Sequence, residues 1–134
     1  MFFPLLVLAL SSNLAHAAPV AAKCPVWNGY FVDEFEINDF HFHTKVENGK
    51  YLYALGEAPL QYFAADGSDI PAGSGDQKGI VRVECGPEYV LFTEILEGGP
   101  TSTFRFEGGD SEHFHAVGTG QYAVGKGNYS RKSD

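Results

Sequence analysis

The run Phe40-His41-Phe42-His43-Thr44-Lys45-Val46-Glu47-Asn48-Gly49-Lys50-Tyr51-Leu52-Tyr53-Ala54-Leu55 sets the architecture. Aromatic and β-branched residues flank Asn48-Gly49, a dipeptide that supplies positive φ at both centres of a two-residue hairpin turn. Glu47 and Lys50 then face each other across that turn. The spacing predicts strands over residues 40–46 and 50–55.

The same grammar recurs on both sides of this hairpin. Short aromatic and β-branched runs predict strands near residues 30–37, 60–64, 80–84, 89–96, 102–107, 112–117 and 121–124. Asp66-Gly67, Gly86-Pro87, Gly98-Gly99-Pro100 and Gly108-Gly109-Asp110 mark turns, and residues 71–76 read as a longer flexible loop. No window carries apolar residues at helical spacing with caps. In residues 51–55 and 89–96 both faces are largely apolar, which predicts strands covered on both sides. Without helices to cover it, such a sheet must close on itself or fold into a sandwich. We expect a small antiparallel β-barrel of about eight strands with one disulfide, either holding a small ligand or filled by its own aromatic side chains.

A chain of 134 residues with 44% apolar content fits one small domain, which excludes multi-domain enzymes and nucleotide-binding folds. Residues 1–17, MFFPLLVLALSSNLAHA, combine an apolar run with a small-x-small end and read as a signal peptide, although no Lys or Arg stands near Met1. Cleavage after Ala17 would leave 117 of the 134 residues, a single secreted, extracellular domain over 18–134. The apolar run is too short to span a bilayer. A net charge of -8 argues against nucleic acid and anionic membranes as partners. In an oxidising compartment Cys24 and Cys85 are expected to pair, closing a loop that would stabilise the fold by roughly 4 kcal/mol. Asn128-Tyr129-Ser130 is a glycosylation acceptor.

Gly118-Thr119-Gly120-Gln121-Tyr122-Ala123-Val124-Gly125-Lys126-Gly127, with Glu107–Phe114 ahead of it and Leu60–Gly67 upstream, resembles the signature of the allene oxide cyclase-like and dirigent-like barrels. Val117 stands where the first Gly of that signature would be, and Gly125 replaces its usual Ala. The resemblance implies an eight-stranded antiparallel barrel, often oligomeric, that binds an apolar intermediate and steers its cyclisation or coupling without a cofactor. It transfers no catalytic residue. The start Cys24-Pro25-Val26-Trp27 followed by residues 30–37 is also similar to the first strand of the fungal Alt a 1-like barrels, which are secreted allergens and plant-interaction proteins.

Two H-x-H pairs, His41-Phe42-His43 and His113-Phe114-His115, are the most unusual local feature. On a strand, residues i and i+2 share a face, so adjacent strands would offer four imidazole nitrogens to Zn, Cu, Fe or Ni. His41-x-His43 with Glu47 also resembles the core of the first cupin metal motif, without the second motif. The alternative is in-out alternation, with the histidines outside and Phe40, Phe42 and Phe114 inside. A His at the barrel mouth would serve as general acid or base. Asp33, Glu34, Glu36 and Asp39 form a charge run, either an acid–base source or a solvated face. Glu94 interrupts an apolar strand and becomes a candidate general acid if it faces the lumen. Arg105 between Phe104 and Phe106 reads as a snorkelling surface residue. Ser102 and Ser111 lie in no nucleophile-elbow context.

These residues lead to three expectations. The first is an apolar small-molecule site with Tyr51, Tyr53, Tyr89 and Phe92 as ligand contacts and Glu94, His113 and His115 as catalytic groups, working as a cofactor-independent cyclase or isomerase. The second is a non-catalytic effector- or allergen-like protein acting on an extracellular protein target, with homo-oligomerisation open. The third is a metal site of His41, His43, His113 and His115.

Overall fold

The computed structural model describes residues 23–74 and 76–133; the expected leader, residues 1–17, lies outside them. Among these residues the chain forms ten strands. They are β1 (Gly29–Asp33), β2 (Asp39–Glu47), β3 (Lys50–Leu55), β4 (Phe63–Ala64), β5 (Asp66–Ser74), β6 (Gln77–Gly86), β7 (Tyr89–Leu96), β8 (Thr101–Asp110), β9 (His113–Gly118) and β10 (Gly127–Lys132). A 3-10 segment, Gly120–Gly125, lies between β9 and β10.

All ten belong to one antiparallel sheet in the order β4-β3-β2-β1-β10-β9-β8-β7-β6-β5. The pairing of β1 with β10, with Tyr30 opposite Lys132 and Asp33 opposite Tyr129, joins the two halves. At the seam β4 packs beside β5 and β6, so the sheet wraps into a nearly closed barrel. Lys50 Nζ donates to Asp66 Oδ2 at 2.9 Å across that seam, and the Ala65 amide donates to the Tyr51 carbonyl at 2.8 Å.

The hairpin of β2 and β3 forms as its turn dictates: Asn48 and Gly49 have φ of 52° and 75°, and Glu47 stands opposite Lys50. Their charges, however, go elsewhere, Glu47 to Lys45 at 3.1 Å and Lys50 to Asp66. Strand β1 stops at Asp33, short of residue 37. The Asp33 carboxylate accepts from the Ile37 amide at 2.8 Å and from Asn38 Nδ2 at 3.3 Å, closing a turn in which Glu36 takes a φ of 56°. Burial would raise the Asp33 carboxyl, but the surrounding amide donors win and hold it below the usual carboxylate range.

Two expectations about local structure are corrected. Residues 71–76 are not a loop throughout, because β5 pairs with the Val- and Ile-bearing β6 through Pro71 opposite Ile80 and Ser74 opposite Gln77. As an edge strand β5 tolerates Pro71, and its partner supplies the order its own composition lacks. Residues 121–124 are not a strand but belong to the 3-10 segment, and the last strand, β10, follows it.

The barrel is filled at one end. Trp27, Phe31, Phe42, Phe106, Phe114 and Tyr129 form its aromatic core. Trp27, 1% exposed, packs edge-on to Phe42 at 5.4 Å and tilted to Phe114 at 5.1 Å. Its Nε1 donates to the Asp110 carbonyl at 2.8 Å, and Tyr53 Oη donates to the Pro25 carbonyl at 2.6 Å. The segment leading into β1 therefore plugs this end, tied to β6 by the Cys24–Cys85 disulfide. Outside, Leu91 and Ile95 are only half-buried, so β7 has no second covering layer.

The disulfide closes 61 residues, and its removal by Cys24→Ser with Cys85→Ser should lower unfolding free energy by about 4 kcal/mol in urea titrations. A loss under about 1 kcal/mol would mean that packing alone seats the plug. Asp66 yields a pH prediction. The Ser68 hydroxyl, the Lys50 ammonium and the Ser68 amide hold its carboxyl far below the usual range. Its folded-state pKa is depressed, so its stabilisation is present above about pH 4 and lost as pH falls further. Asp66→Asn should flatten the acid limb of stability against pH and leave neutral-pH unfolding cooperative.

Candidate functional site at the barrel mouth

Opposite the plugged end, where β2 begins and β3 and β7 finish, the inner face opens into a cup of about 670 Å3. Its floor and walls are apolar: Phe40, Leu55, Val81, Phe92 and Phe104. Phe40 meets Phe104 edge-on at 5.0 Å, which ties the cup floor to the core. A second depression, about 720 Å3, runs along the seam past Gln61, Pro71 and Lys78, but it lies outside the barrel.

Polar groups sit at the rim and on one wall. Tyr30 Oη donates to Asp39 Oδ2 at 2.9 Å, and the His41 ring lies 4.7 Å from the Tyr30 ring and 3.7 Å from Glu57. On the wall, Tyr122 Oη donates to Glu94 Oε1 at 2.9 Å. Burial first, and then the Glu94 hydrogen bond and charge, push the Tyr122 phenol up to about 12. The alternation of β7, with Val90 and Phe92 buried, puts Glu94 on the inner face. Its cross-strand partners are Val81 and Ser102.

The 3-10 segment delivers Tyr122. Gly118 and Gly125 leave room that a Cβ would deny: it would collide with the Tyr122 carbonyl at Gly118 and with the Phe104 ring at Gly125. The buried Ser102 hydroxyl accepts from the Gln121 amide at 3.0 Å. Tyr122 then stacks on Phe104, with centroids 4.9 Å apart. This part of the Gly-rich motif thus builds the wall of the cup.

The structure sorts the expected residues sharply. Phe92 and Glu94 line the cup, and His41 stands at its rim. Tyr51 and Tyr53 pack at the plugged end, and Tyr53, fully buried, spends its hydroxyl on Pro25. Tyr89 points outward beneath the Arg105 guanidinium, 4.2 Å from its ring centroid. His113 and His115 also point outward, because Phe114 and Ala116 take the inner face of β9. They bind Asp110 Oδ1 at 2.9 Å and Asn128 Oδ1 at 2.8 Å, far from the cup. Asn128 and Ser130 of the glycosylation motif are exposed on the outer face of β10.

The four-histidine metal site is not assembled. Strands β1 and β10 separate β2 from β9, and among the described residues no group of three or more His, Cys, Asp and Glu is placed to hold a metal ion. His43 Nε2 is engaged by the Gly56 carbonyl at 2.9 Å. In-out alternation accounts for both pairs.

Tyr30, Asp39, Leu55, Val81, Phe104 and Tyr122 line the cup without having been singled out for it. Period-two alternation carried the signal for Phe104 and Val81; Tyr122 gave none, because its run reads as a strand. Gly125→Ala should force Phe104 and Tyr122 apart, costing about 1–3 kcal/mol and quenching the near-ultraviolet circular dichroism of the stacked pair. An unchanged spectrum and melting point would show that the segment is not wedged against Phe104.

Compared with protein-family models, with curated proteins and with solved structures, the chain matches none.

Proposed function

We propose that this protein is a secreted barrel that holds an apolar small molecule in its mouth. The observation that carries the reading is the cup itself: about 670 Å3, floored by Phe40, Phe92 and Phe104, in a barrel whose other end is plugged. Concave sites with apolar walls and few convergent polar groups are where small ligands bury most of their surface. The Cys24–Cys85 disulfide fits the oxidising compartment that a secreted chain would meet.

Glu94 and Tyr122 add a phenol–carboxylate hydrogen bond of 2.9 Å beside the apolar floor. A carboxylate able to take a proton from a bound guest is one of the groups that cofactor-independent cyclisation or isomerisation asks for. This is also the chemistry implied by the resemblance to the allene oxide cyclase-like and dirigent-like barrels. In this reading Glu94 takes the acid–base role, and His113 and His115, which point outward, take none.

The second reading, an extracellular interaction protein without chemistry, has its own supporting observation. Phe35, Ile37 and Val124 are 73%, 76% and 80% exposed, and Asn38 Nδ2 donates to the Val124 carbonyl at 3.1 Å, which ties Val124 to the turn that carries Ile37. Exposed apolar residues gathered in one place mark contact surfaces more often than scattered ones do.

Native mass spectrometry of the protein from its own source, set against the denatured mass with the disulfide intact, separates the two readings. The proposal expects an added organic mass, lost in Leu55→Trp, which fills the cup, and kept in His115→Ala, which lies outside it. Fully folded protein with no added mass would favour the interaction reading and move attention to the rim.

A further inference from the structure

The walls of the cup are apolar, yet every formal charge on them at neutral pH is negative: Asp39, Glu57 and Glu94 line it and no Lys or Arg does. Asp39 is engaged by Tyr30 Oη, and Glu57 stands near His41 at the rim. Glu94 is different. It lies on the inner face of β7, between cross-strand Val81 and Ser102, both buried. It receives one hydrogen bond, from Tyr122, and among the described residues no cation pairs with it.

Glu94 thus keeps acceptor capacity that no group among the described residues takes up. A cation entering the cup would take it up. It would also meet Phe92, which lines the cup, and aromatic rings attract positive charge. A neutral guest leaves Glu94 short of partners, and an anionic guest is repelled by three carboxylates.

We propose that the mouth selects molecules that carry a protonated amine on an apolar, preferably aromatic, body, with Glu94 as the counter-ion. This rests on the reading of the mouth as a small-molecule site and names the class of molecule it takes. Tyr122 serves as a positioning residue that fixes the Glu94 carboxylate through Oε1.

Three probes of one shape test it on the intact protein: naphthylmethylammonium, naphthylmethanol and naphthoate, measured by calorimetry at neutral pH and constant ionic strength. The ammonium should bind about tenfold or more tighter than the alcohol, and the carboxylate weakest. In Glu94→Gln the ammonium should fall to the level of the alcohol while the alcohol is unchanged. Leu55→Trp should abolish binding of both, which separates the cup from the acidic outer surface.

Equal affinity of ammonium and alcohol for the wild-type protein would overturn the charge preference and leave the apolar site standing. Undiminished ammonium binding in Glu94→Gln would overturn the role of Glu94. No binding of any probe would overturn the site and this inference together. The order of the three probes on the wild-type protein decides the matter even if Glu94→Gln fails to fold.

Discussion

Trp27 is the constraint on which the rest of the barrel depends. A ten-stranded sheet rolled upon itself encloses more space than its own aliphatic side chains would fill. The chain solves this at one end by threading residues 24–28 into it and seating an indole against Phe42 and Phe114. The seat is polar as well as apolar. The Trp27 amide donates to Thr44 Oγ1 at 3.2 Å, Thr44 Oγ1 donates back to the Trp27 carbonyl at 2.8 Å, and the Thr44 amide donates to Asn28 Oδ1 at 2.7 Å. Among the described residues no buried side-chain nitrogen or oxygen lacks a partner, and the disulfide holds the segment to β6. Because this end is closed so thoroughly, the cup that the described residues leave inside the barrel lies at the other.

There the aromatic core continues in a graded way. Phe106 stacks with Phe104 at 5.0 Å, and Phe104 stacks with Tyr122 at 4.9 Å, so one column of rings runs from the filled interior to the wall of the cup. Rings in such a column have two torsions each and close packing on several sides, which makes a stiff wall. The 3-10 segment supplies the last ring of that column. Its glycines matter for space as much as for torsion: only Gly120, at φ 61°, needs the left-handed region, whereas Gly118 and Gly125 are needed because Tyr122 and Phe104 occupy the place of a Cβ.

Much of this was legible before any coordinates. Asn48-Gly49 gave the hairpin and its register, and the in-out alternative for the H-x-H pairs put Phe42 and Phe114 inside. The disulfide followed from a lone cysteine pair behind an apparent leader. What misled was composition without partners. Gly- and Pro-rich β5 reads as a loop because its order comes from β6, and the run Gln121–Val124 reads as a strand because its backbone is bent by glycines outside it. The site suffered for the same reason. Alternation tells which side of a strand a residue takes, but not which end of the barrel is stoppered. Tyr51 and Tyr53, expected as ligand contacts, pack at the plugged end, and Tyr122 came from a segment whose conformation is set by its neighbours. The two H-x-H pairs failed as a metal site on topology alone, since strand order is invisible to local spacing.

Glu94 is the residue at which local rule and structure part company. Along β7 the inner positions run Val90, Phe92, Glu94, and folding alone would favour a third apolar side chain there. Nothing in the seating of the barrel requires a carboxylate at that point; the Lys50–Asp66 latch across the seam, the Trp27 plug and the β1–β10 junction are all elsewhere. The Tyr122 hydroxyl answers only one of the two carboxylate oxygens. A chain whose strands, turns and core otherwise agree tends to break its own pattern where another molecule completes it. An inward acid at the open end of a barrel stoppered at the other is such a break, and under the proposed reading it is the group that a guest in the cup would meet.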